Sequence, residues 1–197
     1  MDAFLGCSIV TDWHDPVAIR KGELADAAAL AALAARTFRD TYADGNSPSD
    51  MAAHLAQSFS REHQGRELAD PTITTLVAAK PTGELVAYTQ LRADPPPACV
   101  AGAQPVELWR FYVERTHHGQ GVAQALMAAV LDHARARGAA TLWLGVWTRN
   151  QRAQAFYRKA GFEDVGTHMY VLGTDRQTDR VFVRSPAAAG NGPAKTL

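Results

Sequence analysis

Only two cysteines, Cys7 and Cys99, occur among 197 residues, and neither belongs to a CxxC pair. That leaves no material for a disulfide framework or a thiolate zinc site and fits a reducing compartment. The seven histidines show no HExxH spacing, so no metal is expected. An excess of one charge is missing too: twenty Lys and Arg balance twenty Asp and Glu, and no chain-wide field would hold the protein on nucleic acid or an anionic membrane. Long apolar runs are lacking as well. The longest, AAALAALAA from Ala27 to Ala35, sits between Asp26 and Arg36 and is too short to span a bilayer. The start MDAFLGCSIV sets Gly6 before Cys7 as a lipoprotein signal does, but has neither a basic n-region nor a proper apolar stretch, so a cytoplasmic location is expected.

What is present is ordinary for one globular domain: 47% apolar and 20% charged residues, in a chain long enough to bury a full core. Residues 1–16 show no clear period and the tail from Ser185 to Leu197 is small, polar and proline-bearing, so a flexible extension and a disordered tail are expected around a domain at 17–184. A short strand is expected from Val17, then a helix at Leu24–Phe38 with Leu30 and Leu33 on one face, a second at Ser49–Phe59 capped by Ser49 or Asp50, and a third from Arg61 ending before Pro71. The period then changes to two. TITTLVAA and ELVAYTQLRA read as an antiparallel pair across KPTGE, where Gly83 supplies a positive φ.

After a proline-rich loop from Asp94 come the strand VELWRFYV, a turn of small residues, and a helix in which Val122, Leu126 and Val130 recur at i+4 up to Gly138. TLWLGVW is apolar on both faces and reads as a buried strand. NQRAQAFYRKAGF reads as a helix with Asn150 as cap and Gly161 as stop. HMYVL and RVFVR close the sheet across GTDRQTD. This order predicts an α+β fold with a central twisted mixed sheet of about seven strands flanked by helices.

The turn HHGQGVA at 117–123 carries the chemistry. Small residues between a strand and a helix leave backbone N–H groups uncovered at the positive end of the helix dipole, a seat for phosphate. A Walker loop would need GK followed by Ser or Thr, and a dinucleotide fingerprint a small residue where Gln124 stands. What remains, His118 with Gly121 and Ala123, resembles the pyrophosphate turn of the GNAT superfamily of N-acetyltransferases. The flanking strands and the Asn, Phe-Tyr and Gly-Phe of NQRAQAFYRKAGF resemble that family's later motifs, so the likeness covers about residues 17–184. The family usually has Gln or Arg at the place of His118. Because the cradle is mainly backbone, tuned affinity is expected rather than loss.

The resemblance implies acetyl-CoA as cosubstrate, without a metal, held by His118, Gly119, Gln120, Gly121, Val122 and Ala123 at its pyrophosphate. Backbone groups of Phe111, Tyr112 and Val113 would bind the pantetheine arm as an added strand, and Asn150 would contribute a hydrogen bond beyond its cap. An alkylamine with a pKa near 10.4 is only about one part in a thousand neutral at pH 7, so a general base is useful. Glu107 stands where the histone-acetylating branch of the family carries its catalytic glutamate; its alternative reading is a solvated strand-end carboxylate. Tyr157 stands where the family's general-acid tyrosine protonates the leaving thiolate. Its alternative reading is a core stripe with Ala153, Phe156 and Ala160. No cysteine lies near these motifs, which favours direct transfer in a ternary complex.

Within the family, FRDTYADGNSPSDM and GTHMYVLGTDRQTD resemble the bacterial branch named for protease synthase and sporulation regulation, whose members acetylate polyamines. Asp40, Asp44, Asp50, Glu62, Glu67 and Asp70 offer carboxylates to a polycation, or serve as caps and solvated faces. The expected partner is a small-molecule or peptide amine, with no nucleic acid and no membrane. A protein N-terminus, a lysine, an antibiotic amine, a CoA-binding regulator without turnover, and a homodimer all stay open at this level.

Overall fold

The change of hydrophobic period after residue 71 marks where helices give way to sheet. The computed structural model describes residues 9–10, 16–43, 47–172 and 175–187. Its strands are β1 (Ile9–Val10), β2 (Val17–Lys21), β3 (Thr74–Ala79), β4 (Leu85–Arg92), β5 (Pro105–Val113), β6 (Thr141–Trp147), β7 (Glu163–Leu172) and β8 (Asp175–Arg184), and its helices are α1 (Ala27–Tyr42), α2 (Pro48–Ser58), α3 (Arg61–Ala69), α4 (Val122–Ala136) and α5 (Gln151–Lys159). The strands form one mixed sheet in the order β1-β2-β3-β4-β5-β6-β8-β7, the α+β architecture that the sequence predicts, with the two-residue β1 added at the edge. Most of the expected extension, the tail from 188 onward and Asp44 lie outside the described residues. Among the described residues no helix is long and apolar enough to cross a membrane.

Contacts group the chain into two units, residues 1–90 with 110–130 and residues 91–109 with 131–197; β4, β5 and α4 run from one into the other. In the first, β2 pairs antiparallel with β3 from Ala18↔Ala79 to Lys21↔Leu76. Strand β3 is buried throughout, Thr74 and Thr75 included, so its burial does not follow the expected period of two. Helix α1 buries Leu30, Leu33, Ala34 and Phe38 on one stripe. It runs past Phe38 because the Thr37 and Thr41 hydroxyls are satisfied within it, donating to the Leu33 and Thr37 carbonyls at 3.0 and 2.8 Å. The cap of α2 is Ser47, whose hydroxyl accepts from the Asp50 N–H at 3.1 Å, and not Ser49 or Asp50. Pro48 follows at the first helical position, where a missing N–H costs nothing.

In the second unit, β6 pairs parallel with β5 on one side and antiparallel with β8 on the other. Residues 141–144 and Val146 are buried while Gly145 is exposed. Asn150 caps α5, its Oδ1 accepting from the Ala153 N–H at 3.1 Å. At the other end Gly161 adopts φ 82°, and the Arg184 guanidinium donates to the Ala160 carbonyl.

The closing hairpin differs from expectation. GTDRQTD is not a connection between two five-residue strands: β8 begins at Asp175 and pairs with β7 from Leu172↔Asp175 back to Glu163↔Val183, with a bulge at Asp164–Gly166. Polar residues fill the strand because cross-strand pairing, not apolar alternation, holds it.

Candidate active site

The turn before α4 is built as its composition implies. After a single 3-10 turn at Arg115–His117, Gly119 and Gly121 adopt φ 77° and 78°, the left-handed region that glycine enters without strain. A Cβ placed on Gly119 would meet nothing within 4 Å. The helical ladder begins with Ala125 N–H donating to the Gly121 carbonyl at 3.0 Å, so the N–H groups of Val122, Ala123 and Gln124 precede it and point out of the helix end. A phosphate-bearing group fits this cradle on shape and on dipole. His118 has turned toward the strand, its Nε2–H donating to the Val113 carbonyl at 2.9 Å, and the Gln120 amide donates to the Thr116 carbonyl at 2.8 Å. Both side chains brace the turn. On β5, Tyr112 stacks on Tyr88 with ring centroids 5.6 Å apart.

Tyr157 is buried on α5, with its ring 5.5 Å from Phe156, 5.7 Å from Phe162 and 6.3 Å from Phe182. Directly paired residues share a face of a sheet, and Phe182 pairs with Leu144. Tyr157 therefore packs on the Leu144 face. Glu107 pairs with Trp143 and so lies on the opposite face. Among the described residues the β5–β6 ladder runs from Pro105↔Thr141 to Glu107↔Trp143 and no further.

Glu107 is buried, and its Oε2 accepts from Arg92 Nε at 2.6 Å. Burial pushes its carboxyl above the usual range, against the opposing pull of Arg92. The Arg92 guanidinium also lies 3.9 Å over the Trp109 ring.

A second, half-buried carboxylate belongs to this face. Asp179 pairs with Trp147 on one side and His168 on the other, and burial raises its carboxyl to about 6, against a lesser downward pull from His168. Sequence reading missed Asp179 because it placed that residue in a loop; the available signal was Gly145, a glycine inside a buried strand. A carboxyl raised in the folded state contributes stability below its unfolded pKa near 4, and that contribution is lost as pH rises through about 6. Asp179→Asn is therefore expected to stabilise the protein at pH 8 by about 1–3 kcal/mol, allowing for partial solvent access, and to change nothing at pH 4. Thermal unfolding at the two pH values checks this, and equal effects at both would sink it.

Asp40 and Glu62 are exposed, and Asp70 accepts from the Thr72 N–H and hydroxyl at 2.8 and 2.6 Å. Glu67 is buried and engaged: its Oε2 accepts from Arg110 at 2.6 Å and Gln90 at 3.0 Å, and its Oε1 lies 2.9 Å from His63 Nε2. Among the described residues no three His, Cys, Asp or Glu side chains are grouped to hold a metal ion.

Residues 30–162 match the model of the acetyltransferase (GNAT) family. The chain belongs to this family and is an N-acetyltransferase. It is 38% identical over 162 residues to an uncharacterized N-acetyltransferase of Mycobacterium bovis, covering 82% of this chain and 98% of that one. It is 32% identical over 148 residues to an uncharacterized N-acetyltransferase of Lactobacillus delbrueckii subsp. lactis, covering 75% and 85%. The fold is shared with the PaiA N-acetyltransferase of Thermoplasma acidophilum, solved in complex with coenzyme A, at a TM-score of 0.70 and 21% identity over 86% of this chain and 98% of that one.

Proposed function

We propose that the protein transfers the acetyl group of acetyl-CoA to a primary amine by direct attack in a ternary complex. The observation that carries this reading is the pair of left-handed glycines, Gly119 and Gly121, ahead of α4, with N–H groups aimed where a pyrophosphate would sit. Acetyl-CoA supplies the activated acyl group. The chain's part is to hold its phosphates at 118–123, to align the pantetheine arm along the backbone of Phe111–Val113, and to polarise the thioester carbonyl with a backbone N–H near Val113. Asn150 adds a hydrogen bond from the start of α5. Glu107 takes a proton from the incoming ammonium, a task that its raised pKa suits. Tyr157 hands its proton to the departing thiolate.

The acceptor that we favour is a small linear polyamine. The support is the likeness of FRDTYADGN and GTDRQTD to the polyamine-acetylating branch, together with a buried carboxylate on the amine side. Free-thiol release measured over polyamines, aminoglycosides, amino acids and N-terminal peptides ranks the acceptors. A preference for peptides would replace the polyamine by a protein N-terminus.

Gly121→Val tests the cradle itself. A β-branched side chain at φ 78° both strains the turn and covers the N–H groups. Acetyl-CoA affinity by calorimetry is expected to fall at least tenfold, about 1.4 kcal/mol. Unchanged affinity in a folded variant would remove the phosphate assignment.

A further inference from the structure

The face of the sheet that holds Glu107 continues across β6 to Asp179 and His168. Trp143, Gly145 and Trp147 alternate onto it, and Trp147, Asp179 and His168 lie in one cross-strand row. At the centre, Gly145 is exposed although its neighbours Leu144 and Val146 are buried. A Cβ on Gly145 would stand 3.4 Å from Asp179 Oδ2 and 4.0 Å from the His168 ring, so both side chains lean over bare backbone. A glycine inside a strand is the mark of a place where something approaches closely.

Asp179 Oδ1 is sealed from solvent and has no hydrogen-bond partner among the described residues. An orphaned buried oxygen costs free energy until a donor reaches it. Glu107 differs in this respect, since Arg92 already fills its Oε2. His168 opposes the effect of burial at Asp179, and its pull is smaller than the penalty of burial. An ammonium group arriving over Gly145, with three donors and no acceptor, would meet Asp179 Oδ2, which lies 3.4 Å from the position of a Cβ there.

Glu107 on β5 and Asp179 on β8 stand on the two strands that flank β6, so an acceptor with two ammonium groups would reach across that strand.

We propose that Asp179, over Gly145 and beside His168, binds a second ammonium group of the acceptor while the reacting amine faces Glu107, so that the enzyme selects diamines and longer polyamines over monoamines. This rests on the acetyl-transfer reading for its biological sense, but not for its test. Calorimetric titration of 1,4-diaminobutane and of spermidine into the protein without acetyl-CoA reads the subsite directly. Both bind wild type more tightly than butylamine does. Asp179→Asn weakens both about ten- to hundredfold, the range of one charge-assisted hydrogen bond, and leaves butylamine unchanged. Gly145→Val, which fills the floor, erases the preference for diamines while acetyl-CoA binding stays intact.

In turnover, Asp179→Asn raises KM for 1,4-diaminobutane by a similar factor and leaves kcat/KM for butylamine within twofold. Diamine affinity unaltered by Asp179→Asn, or no preference for diamines in wild type, overturns the subsite whatever the activity. Diamine binding through Asp179 without any acetyl transfer supports the subsite and overturns the reaction.

Discussion

Tyr157→Phe is expected to lower kcat by about 10² to 10⁴ while acetyl-CoA affinity and Tm stay close to wild type. The ring is buried against Phe156, Phe162 and Phe182, and phenylalanine keeps those contacts. Only the hydroxyl is lost. A thiolate leaving group with a pKa near 8.5 gains from a nearby donor as the carbon–sulfur bond breaks, whereas the intact thioester carries no such charge. The deficit should therefore fall on kcat and not on cofactor binding. Steady-state kinetics with calorimetry of acetyl-CoA separates the two. A turnover number within a factor of two of wild type would make Tyr157 a member of the core stripe with Ala153, Phe156 and Ala160.

Glu67→Ala is expected to cost about 3–5 kcal/mol, because it strands the buried Arg110 guanidinium. Both partners are buried, at 9% and 7% side-chain exposure, and 2.6 Å apart. Arg110 also donates to Gln90 at 2.7 Å and lies 5.0 Å from the Phe59 ring centroid, so it cannot swing into water without breaking other contacts. The corresponding fall in Tm is on the order of ten degrees for a chain of this size. Glu67→Gln, which keeps an acceptor, should cost less. Replacing both Glu67 and Arg110 by Met should recover most of the loss, since the charge and its desolvation leave together. Urea unfolding of the three variants measures this, and a Glu67→Ala change below about 1 kcal/mol would show that water reaches the pair.

These effects also separate the two kinds of carboxylate in the molecule. Glu67 is saturated by Arg110, Gln90 and His63, and removing it harms folding. Asp179 has an oxygen with no partner among the described residues, and removing its charge is expected to improve stability at pH 8 while damaging diamine recognition. A substitution that stabilises a protein and impairs its selectivity is the signature of a residue kept for function.

Features held by neighbours in sequence were legible without coordinates. The α1 stripe of Leu30 and Leu33, the α4 stripe of Val122, Leu126 and Val130, the cap at Asn150, the stop at Gly161 and the glycine turn before α4 each depend on a few consecutive residues. Backbone sterics and hydrogen bonding over one or two turns suffice to specify them. The cap of α2 was displaced by only two residues, since serine precedes Pro48 as well as follows it.

Register and pairing were not local, and only the tertiary structure decided them. No pattern within GTDRQTD announces that Asp179 stands opposite His168 and Trp147, because a strand held by cross-strand partners tolerates polar residues that resemble a loop. Equally silent are the contacts of Glu107 with Arg92 and of Arg110 with Glu67, forty-three residues away. The sequence by itself determined the glycine turn before α4, the order of elements and the family. Which carboxylates are neutralised and which remains open to a cation depended on three-dimensional convergence, since the free energy of a buried charge is set by the groups that fold around it.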